Sequence, residues 1–228
     1  MPAEARGDYF SSVSAGYAEF RPRYPRALLD FVASLPANHH RAWDCGAGSG
    51  QATVDLADRF DEVIGSDASA AQLARAPRTP NITWIVAPAE SVPIGDHSVD
   101  LTTVAQALHW FDHDRFYDEV RRVSAPGAAF AAWAYLSVTM NGELGAILNR
   151  YEHGTVGPYW PPERRHVDSA YRTIPFPFER IDAPPIEIEQ EWTLTQMAGY
   201  LRTWSATIRF VAQHGVDPVV DVERELAE

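Results

Sequence analysis

The run Ala42-Trp43-Asp44-Cys45-Gly46-Ala47-Gly48-Ser49-Gly50-Gln51 restricts this chain more than any other stretch. A short apolar segment with strand character enters three glycines at alternate positions and leaves into a segment of helical pattern. Glycine lets the backbone turn sharply and approach a ligand closely, and a helix start offers N–H groups without intrahelical partners. The plainer alternative is a loop that merely joins strand to helix. The strand–glycine–helix context favours a nucleotide-binding turn.

The surroundings of that turn set the fold class. From about Leu28 to Tyr135, short apolar runs alternate with amphipathic stretches, the pattern of a parallel sheet covered by helices. Strands are expected at 41–46, 62–67, 82–86, 99–105 and 128–135. A helix from Pro25 buries Leu28, Phe31, Val32 and Leu35. Gln51 to Phe60 is a second, Ser69 with Gln72 caps a third, and Asp112 or Asp114 caps a fourth that Pro126-Gly127 stops. The expectation is an α/β, Rossmann-like, doubly wound and mostly parallel sheet in one domain, 1–228. Residues 1–24 precede the core, which spans 25–135, and 136–228 is a substrate-side and C-terminal region. In that last region, rich in proline and aromatics, 186–192 reads as an exposed or edge strand and 194–211 as an amphipathic helix.

Composition removes several function classes. All 19 basic residues are arginine, so Schiff-base chemistry and phosphate loops ending in Gly-Lys-Ser/Thr are excluded. A formal net charge of −12 without an Arg run argues against nucleic-acid phosphates as a partner. The longest apolar run, 125–135, is too short to cross a bilayer, and the opening residues do not read as a secretory signal. A soluble, cytoplasmic protein with no membrane partner is the expectation. Cys45 stands alone, which rules out an internal disulfide and a cysteine-based zinc site.

Two acids narrow the ligand. Asp67 ends the second strand, where a carboxylate reaches two ribose hydroxyls; its alternative is a helix cap. Asp44 immediately precedes a Gly-x-Gly-x-Gly pattern, not the Gly-x-Gly-x-x-Gly usual for nicotinamide dinucleotides. A carboxylate there is ill-placed beside a pyrophosphate and well placed near a cationic amino group.

Asp44 to Gly50, Asp67, Ala89-Glu90-Ser91-Val92-Pro93 and Asp100 to Phe111 together resemble class I S-adenosylmethionine-dependent methyltransferases, particularly the small-molecule branch similar to trans-aconitate methyltransferases. The resemblance implies that S-adenosylmethionine is the methyl donor and S-adenosylhomocysteine the product. It places Gly46, Ala47, Gly48 and Gly50 along the methionine portion, Asp67 and Ala68 at the ribose, and Ala89 and Glu90 at the adenine. Gln106 and Ala107 contact the methionine part. Tyr17, Arg21, Tyr24 and Pro25 match the family's lid, with Arg21 on the methionine carboxylate. Two departures stand out: Pro88 occupies a position where relatives often carry an acid, and Asp217 to Glu228 is acidic and ends in a helical pattern, so that the family's last edge strand is expected to be missing.

His109 follows the fourth strand, at the sheet's ligand-binding end, and can orient or deprotonate an acceptor. A polar-structural role is the alternative. His113, Asp112 and Asp114 lie near it but lack the ligand set of a metal site, so no metal is expected. Trp133, Tyr135, Tyr159, Trp160 and Trp204 are candidates for the acceptor cavity walls. The activity expected is methyl transfer to a small-molecule acceptor, a carboxylate or a hydroxyl. An NAD(P)-dependent oxidoreductase and a non-catalytic cofactor-binding module are the alternatives.

Overall fold

In the computed structural model, which describes residues 20–227, β1 (Arg41–Cys45), β2 (Glu62–Asp67), β3 (Ile82–Val86), β4 (Val99–Ala105) and β5 (Ser124–Trp133) form one parallel sheet, ordered β3-β2-β1-β4-β5. Register runs Trp43 beside Ile64 and beside Thr102, Ile64 beside Thr83, and Thr102 beside Phe130. Strand order reverses between β1 and β4. Ligands of open α/β sheets bind in the crevice outside the carboxyl ends of such a pair, here the glycine turn and the segment from Gln106.

Helices cover both faces. On one, α1 (Arg26–Ala33) buries Leu29, Val32 and Ala33, joined by Leu56 of α2 (Gln51–Leu56), Phe60, Val63 and Leu101. On the other, α4 (His113–Val123) buries Phe116, Tyr117, Val120 and Val123 against Trp43, Val99 and Val104. The Asp112 carboxylate caps α4 by accepting the Arg115 amide. Between these, α3 (Ala70–Leu73) carries the Ser69 cap, whose hydroxyl accepts the Gln72 amide.

Beyond β5 come α5 (Gly142–Asn149), a π-helical turn Arg150–Thr155, α6 (Arg164–Asp168), α7 (Leu194–Arg202), α8 (Ser205–His214) and α9 (Val219–Ala227). All but α6 share an apolar cluster of their own, centred on Tyr151, Leu201, Trp204 and Val219, whereas Val167 of α6 joins the sheet-side core. No strand follows β5 among the described residues, as the sequence led us to expect.

Four expectations are corrected. Residues 186–192 form no strand; the alternation of Ile and Glu is real, but a strand needs a neighbour for its backbone hydrogen bonds. The helix expected over 194–211 is two helices. The Thr203 hydroxyl donates to the Tyr200 carbonyl and Trp204 turns extended (φ −69°, ψ 136°) as the cap of α8. The helix expected to reach Phe60 ends at Leu56. Pro126-Gly127 does not stop α4, which ends at Val123. The pair falls within β5, where the register against β4 shifts and Gly127 takes φ +79°. Most of the expected lid, including Tyr17, lies outside the described residues.

Candidate active site

Two adjoining cavities open at the carboxyl edge of the sheet. The larger, about 1090 Å³ with its mouth included, runs along the glycine turn and over the ends of β2, β3 and β4. The second, about 780 Å³, lies between the end of β4 and the C-terminal helices. Gln106 and Trp110 line both, so they mark the junction.

In the first cavity the turn is folded by its own amides. Gly46 and Ala47 N–H both donate to the Ser66 carbonyl at 2.9 Å, Gly48 N–H to Asp67 Oδ2 at 2.9 Å, and Gly50 N–H to the Ala47 carbonyl at 2.9 Å. A Cβ on Gly46 would lie 2.6 Å from the Ala107 Cβ, and Gly46 holds φ +71°. The chain therefore crosses β4's outgoing segment at a distance only glycine permits. A Cβ on Gly48 would meet nothing within 4 Å, so this glycine faces open space.

Asp44, at the end of β1, is almost wholly buried and lines the same cavity. Its oxygens accept hydrogen bonds from Thr53 Oγ1 at 2.5 Å and Thr103 Oγ1 at 2.9 Å. Burial raises its pKa to about 6 against the lowering effect of the two threonines. Asp67 accepts the Gly48 amide and, at 2.8 Å, the Ser69 amide. Burial raises its pKa too, opposed by those amides.

Asp44, Gly46, Ala47, Gly48, Asp67, Ala68, Ala89, Glu90, Gln106 and Ala107 all line this cavity. Gly50 and Arg21 do not. Gly50 (φ +89°) is required by packing instead, because a Cβ there would meet the Trp84 ring at 2.5 Å. Gly65 faces the same ring at 2.3 Å, so Trp84 lies across two glycines. Arg21 reaches the second cavity, donating to Tyr135 Oη at 2.9 Å and to the Thr203 carbonyl at 3.0 Å. The Glu90 carboxylate accepts the Asp112 amide at 2.9 Å. Sequence reasoning missed Gln72, a buried polar side chain in the cavity wall; its place in a capping pattern masked it. It also missed Gln106's left-handed backbone, φ +58°, an uncommon state for a non-glycine residue that recurs at functional sites.

The second cavity is aromatic. Trp110, Tyr135, Trp160, Tyr200 and Trp204 line it, with His109, Arg21 and Arg164. Trp133 and Tyr159 stand outside, Trp133 packed edge-on against Tyr24 and Tyr159 against Phe210. Arg164 stacks 4.1 Å from the Trp160 ring centre and pairs with Glu152 at 3.0 Å and Asp168 at 2.7 Å. Burial, with His166, Arg164 and His113 nearby, drives the His109 pKa down to about 3, so the imidazole is neutral. No cluster of His, Cys, Asp or Glu able to hold a metal occurs among the described residues.

Comparison with known proteins identifies this architecture. Residues 43–132 match the model of a methyltransferase domain. A curated methyltransferase of Dictyostelium discoideum is 34% identical over 223 residues, 96% of this chain and 85% of its own length. A solved structure from Anaeromyxobacter dehalogenans, assigned as a type II methyltransferase, superposes with a TM-score of 0.84 at 46% identity, covering 91% of this chain and 88% of that one. A Saccharomyces cerevisiae protein, named as S-adenosylmethionine-dependent, is 33% identical over 167 residues, 68% of this chain and 57% of its own. The chain belongs to the methyltransferase family, with its Rossmann-like fold.

Proposed function

We propose that this enzyme transfers the methyl group of S-adenosylmethionine to a small-molecule acceptor, a carboxylate or hydroxyl, bound in the aromatic chamber. One observation carries the choice of donor: the Gly46, Ala47, Gly48 and Gly50 amides are spent within the protein while a carboxylate, Asp44, stands at the turn's start. A pyrophosphate needs free amides and repels a carboxylate, whereas an amino acid's ammonium favours one. The cavity also fits the rest of the molecule. In this reading Asp67 would hold the ribose, Ala87 to Glu90 would border the adenine and the open space at Gly48 would admit the methionine portion, and all of these residues line the one cavity.

When bound, S-adenosylmethionine supplies an already activated methyl group. The chain's own residues then align and shield. Gln106 is fixed between strands, its amide N–H donating to the Trp133 carbonyl at 2.9 Å and its side chain to the Tyr135 carbonyl at 3.4 Å. It thus holds the passage between the two cavities in one shape. The aromatic walls keep water from the acceptor. The likeness to trans-aconitate methyltransferases and a cytoplasmic location belong with this proposal; no helix among the described residues is long and apolar enough to cross a membrane.

Calorimetric titration with S-adenosylhomocysteine and, separately, NADH on the wild type and on Asp67→Ala tests the proposal. We expect S-adenosylhomocysteine alone to bind, and Asp67→Ala to weaken it roughly a hundredfold, the loss of two charge-assisted hydrogen bonds. Preference for NADH would overturn the reading. Binding without methyl transfer to any member of a panel of carboxylic acids and phenols would favour a non-catalytic module.

A further inference from the structure

His109 lies in the 3-10 turn Leu108–Trp110 and lines the aromatic chamber, yet one of its ring nitrogens points away from it. Nδ1 is 3.2 Å from the hydroxyl of Tyr171, a residue more than sixty positions further along the chain. Tyr171 is only 7% exposed. It follows Ala170, and the two hold consecutive left-handed conformations, φ +49° and +58°. Such a pair of non-glycine residues is costly. It reverses the chain directly after α6, with the Ala170 amide donating to the Val167 carbonyl and the Tyr171 amide to the His166 carbonyl, both at 2.8 Å. The reversal carries the phenol back into the sheet-side core and under His109.

We propose that Tyr171 is a positioning residue that donates its hydroxyl proton to His109 Nδ1, locking the imidazole as the Nε2–H tautomer and presenting Nε2–H to the acceptor as a hydrogen-bond donor. The geometry allows one direction of donation. Nδ1 is the side-chain partner of the Tyr171 hydroxyl, and the Leu108 backbone also bonds the phenol oxygen in the sense that favours its ionised form, as a donor. If the imidazole donated instead, the buried phenol proton would be left without a side-chain acceptor, which is unfavourable. Nε2 of His109 has no protein partner among the described residues. The surrounding charges agree. Arg164 and His166 of α6 and His113 of α4 disfavour an imidazolium, and the carboxylates Glu152 and Asp168 are engaged by Arg164. Burial raises the Tyr171 pKa, so the phenol keeps its proton.

This assignment rests on the proposed role of the chamber for its meaning but not for its test. With Nε2 protonated, His109 does not remove a proton from the acceptor. It holds an electron-rich atom of the acceptor in place. Proton removal from a hydroxyl acceptor would have to come from elsewhere.

The test is long-range ¹⁵N–¹H spectroscopy of histidine-labelled protein from pH 5 to 8, alone and with S-adenosylhomocysteine, with the His109 signals identified by their loss in His109→Gln. The expected wild-type result is a single Nε2–H tautomer that does not titrate over this range. In Tyr171→Phe, shown to be folded by its thermal melt, the two tautomers should mix, the ring staying neutral because burial and the neighbouring cations are unchanged. An Nδ1–H tautomer or an imidazolium in the wild type at pH 7 overturns the proposal. So does a Tyr171→Phe spectrum identical to the wild type. Should Tyr171→Phe fail to fold, the wild-type tautomer decides the matter. The reading in the free protein holds even if S-adenosylhomocysteine does not bind, so the two proposals fail separately.

Discussion

The two cavities meet at Gln106 and Trp110 but are built on different principles. The cavity along the glycine turn, the proposed donor cavity, is built mainly from short segments at the ends of strands: Gly46 to Ser49, Asp67 to Ser69, Ala87 to Glu90, Ala105 to Ala107. The aromatic chamber, the proposed acceptor site, is made of large side chains from separate helices and loops, and an ion-paired arginine, Arg164, supports one wall. The first depends on close approach of main chain, the second on packing and charge balance. Damage to the donor cavity should therefore abolish binding, and damage to the chamber's support should cost stability while leaving donor affinity alone.

The largest effect is expected at Gly46. Valine there would need a left-handed backbone and a Cβ 2.6 Å from that of Ala107, so Gly46→Val should weaken S-adenosylhomocysteine binding roughly a thousandfold or more. Near-normal calorimetric affinity would show that close approach is not what shapes the cavity. Next comes Arg164→Met, which leaves Glu152 buried without its cation. It should lower unfolding stability by about 3 kcal/mol in denaturant titration and leave donor affinity within a factor of about 2. A large loss of donor affinity would mean that the cavities are one coupled unit.

A smaller effect is expected from pH. Asp44 has its pKa raised to about 6 by burial, so below that pH the free protein holds it protonated. A ligand ammonium favours the ionised form, and binding must then expel a proton. Affinity for S-adenosylhomocysteine should fall by up to about tenfold per pH unit below about 6 and be flat above it. Asp44→Asn should remove the slope, and a flat wild-type profile would separate Asp44 from the ammonium. The smallest effect is Gly48→Ala. Its Cβ meets nothing, so only the left-handed backbone (φ +57°) is penalised, at about 1 kcal/mol in thermal or chemical unfolding. A loss several times larger would place a contact there that the geometry does not contain.

The sheet was legible because its signals are local. Apolar runs of five to seven residues between helical stretches located β1 to β4 to within a residue of their ends, and the acid that ends β2 sits where strand length puts it. The second half was less legible. Ile186 to Trp192 carries a strand's alternation, but alternation does not report whether a partner edge lies alongside. The break at Thr203 depends on a hydroxyl reaching Tyr200's carbonyl, which competes with a helix that the apolar spacing alone would continue.

The same division holds residue by residue in the site. Gly46, Gly48, Asp44 and Asp67 could be read from one chain segment and one strand end, because backbone conformation and strand direction position them. Arg21 could not: a guanidinium at the end of a long side chain goes wherever acceptors lie, here Tyr135 and Thr203, more than a hundred residues away. Gly50 looked identical to its neighbours, yet what requires it is the Trp84 ring brought over it by β3. The sequence by itself determined the class of fold, the position of the glycine turn and the acids that flank it, since these follow from periodicity, glycine's backbone freedom and strand ends. The composition of the chamber and the pairing of His109 with Tyr171 were decided only by tertiary structure, because they depend on which distant side chains the packing of the C-terminal helices brings together.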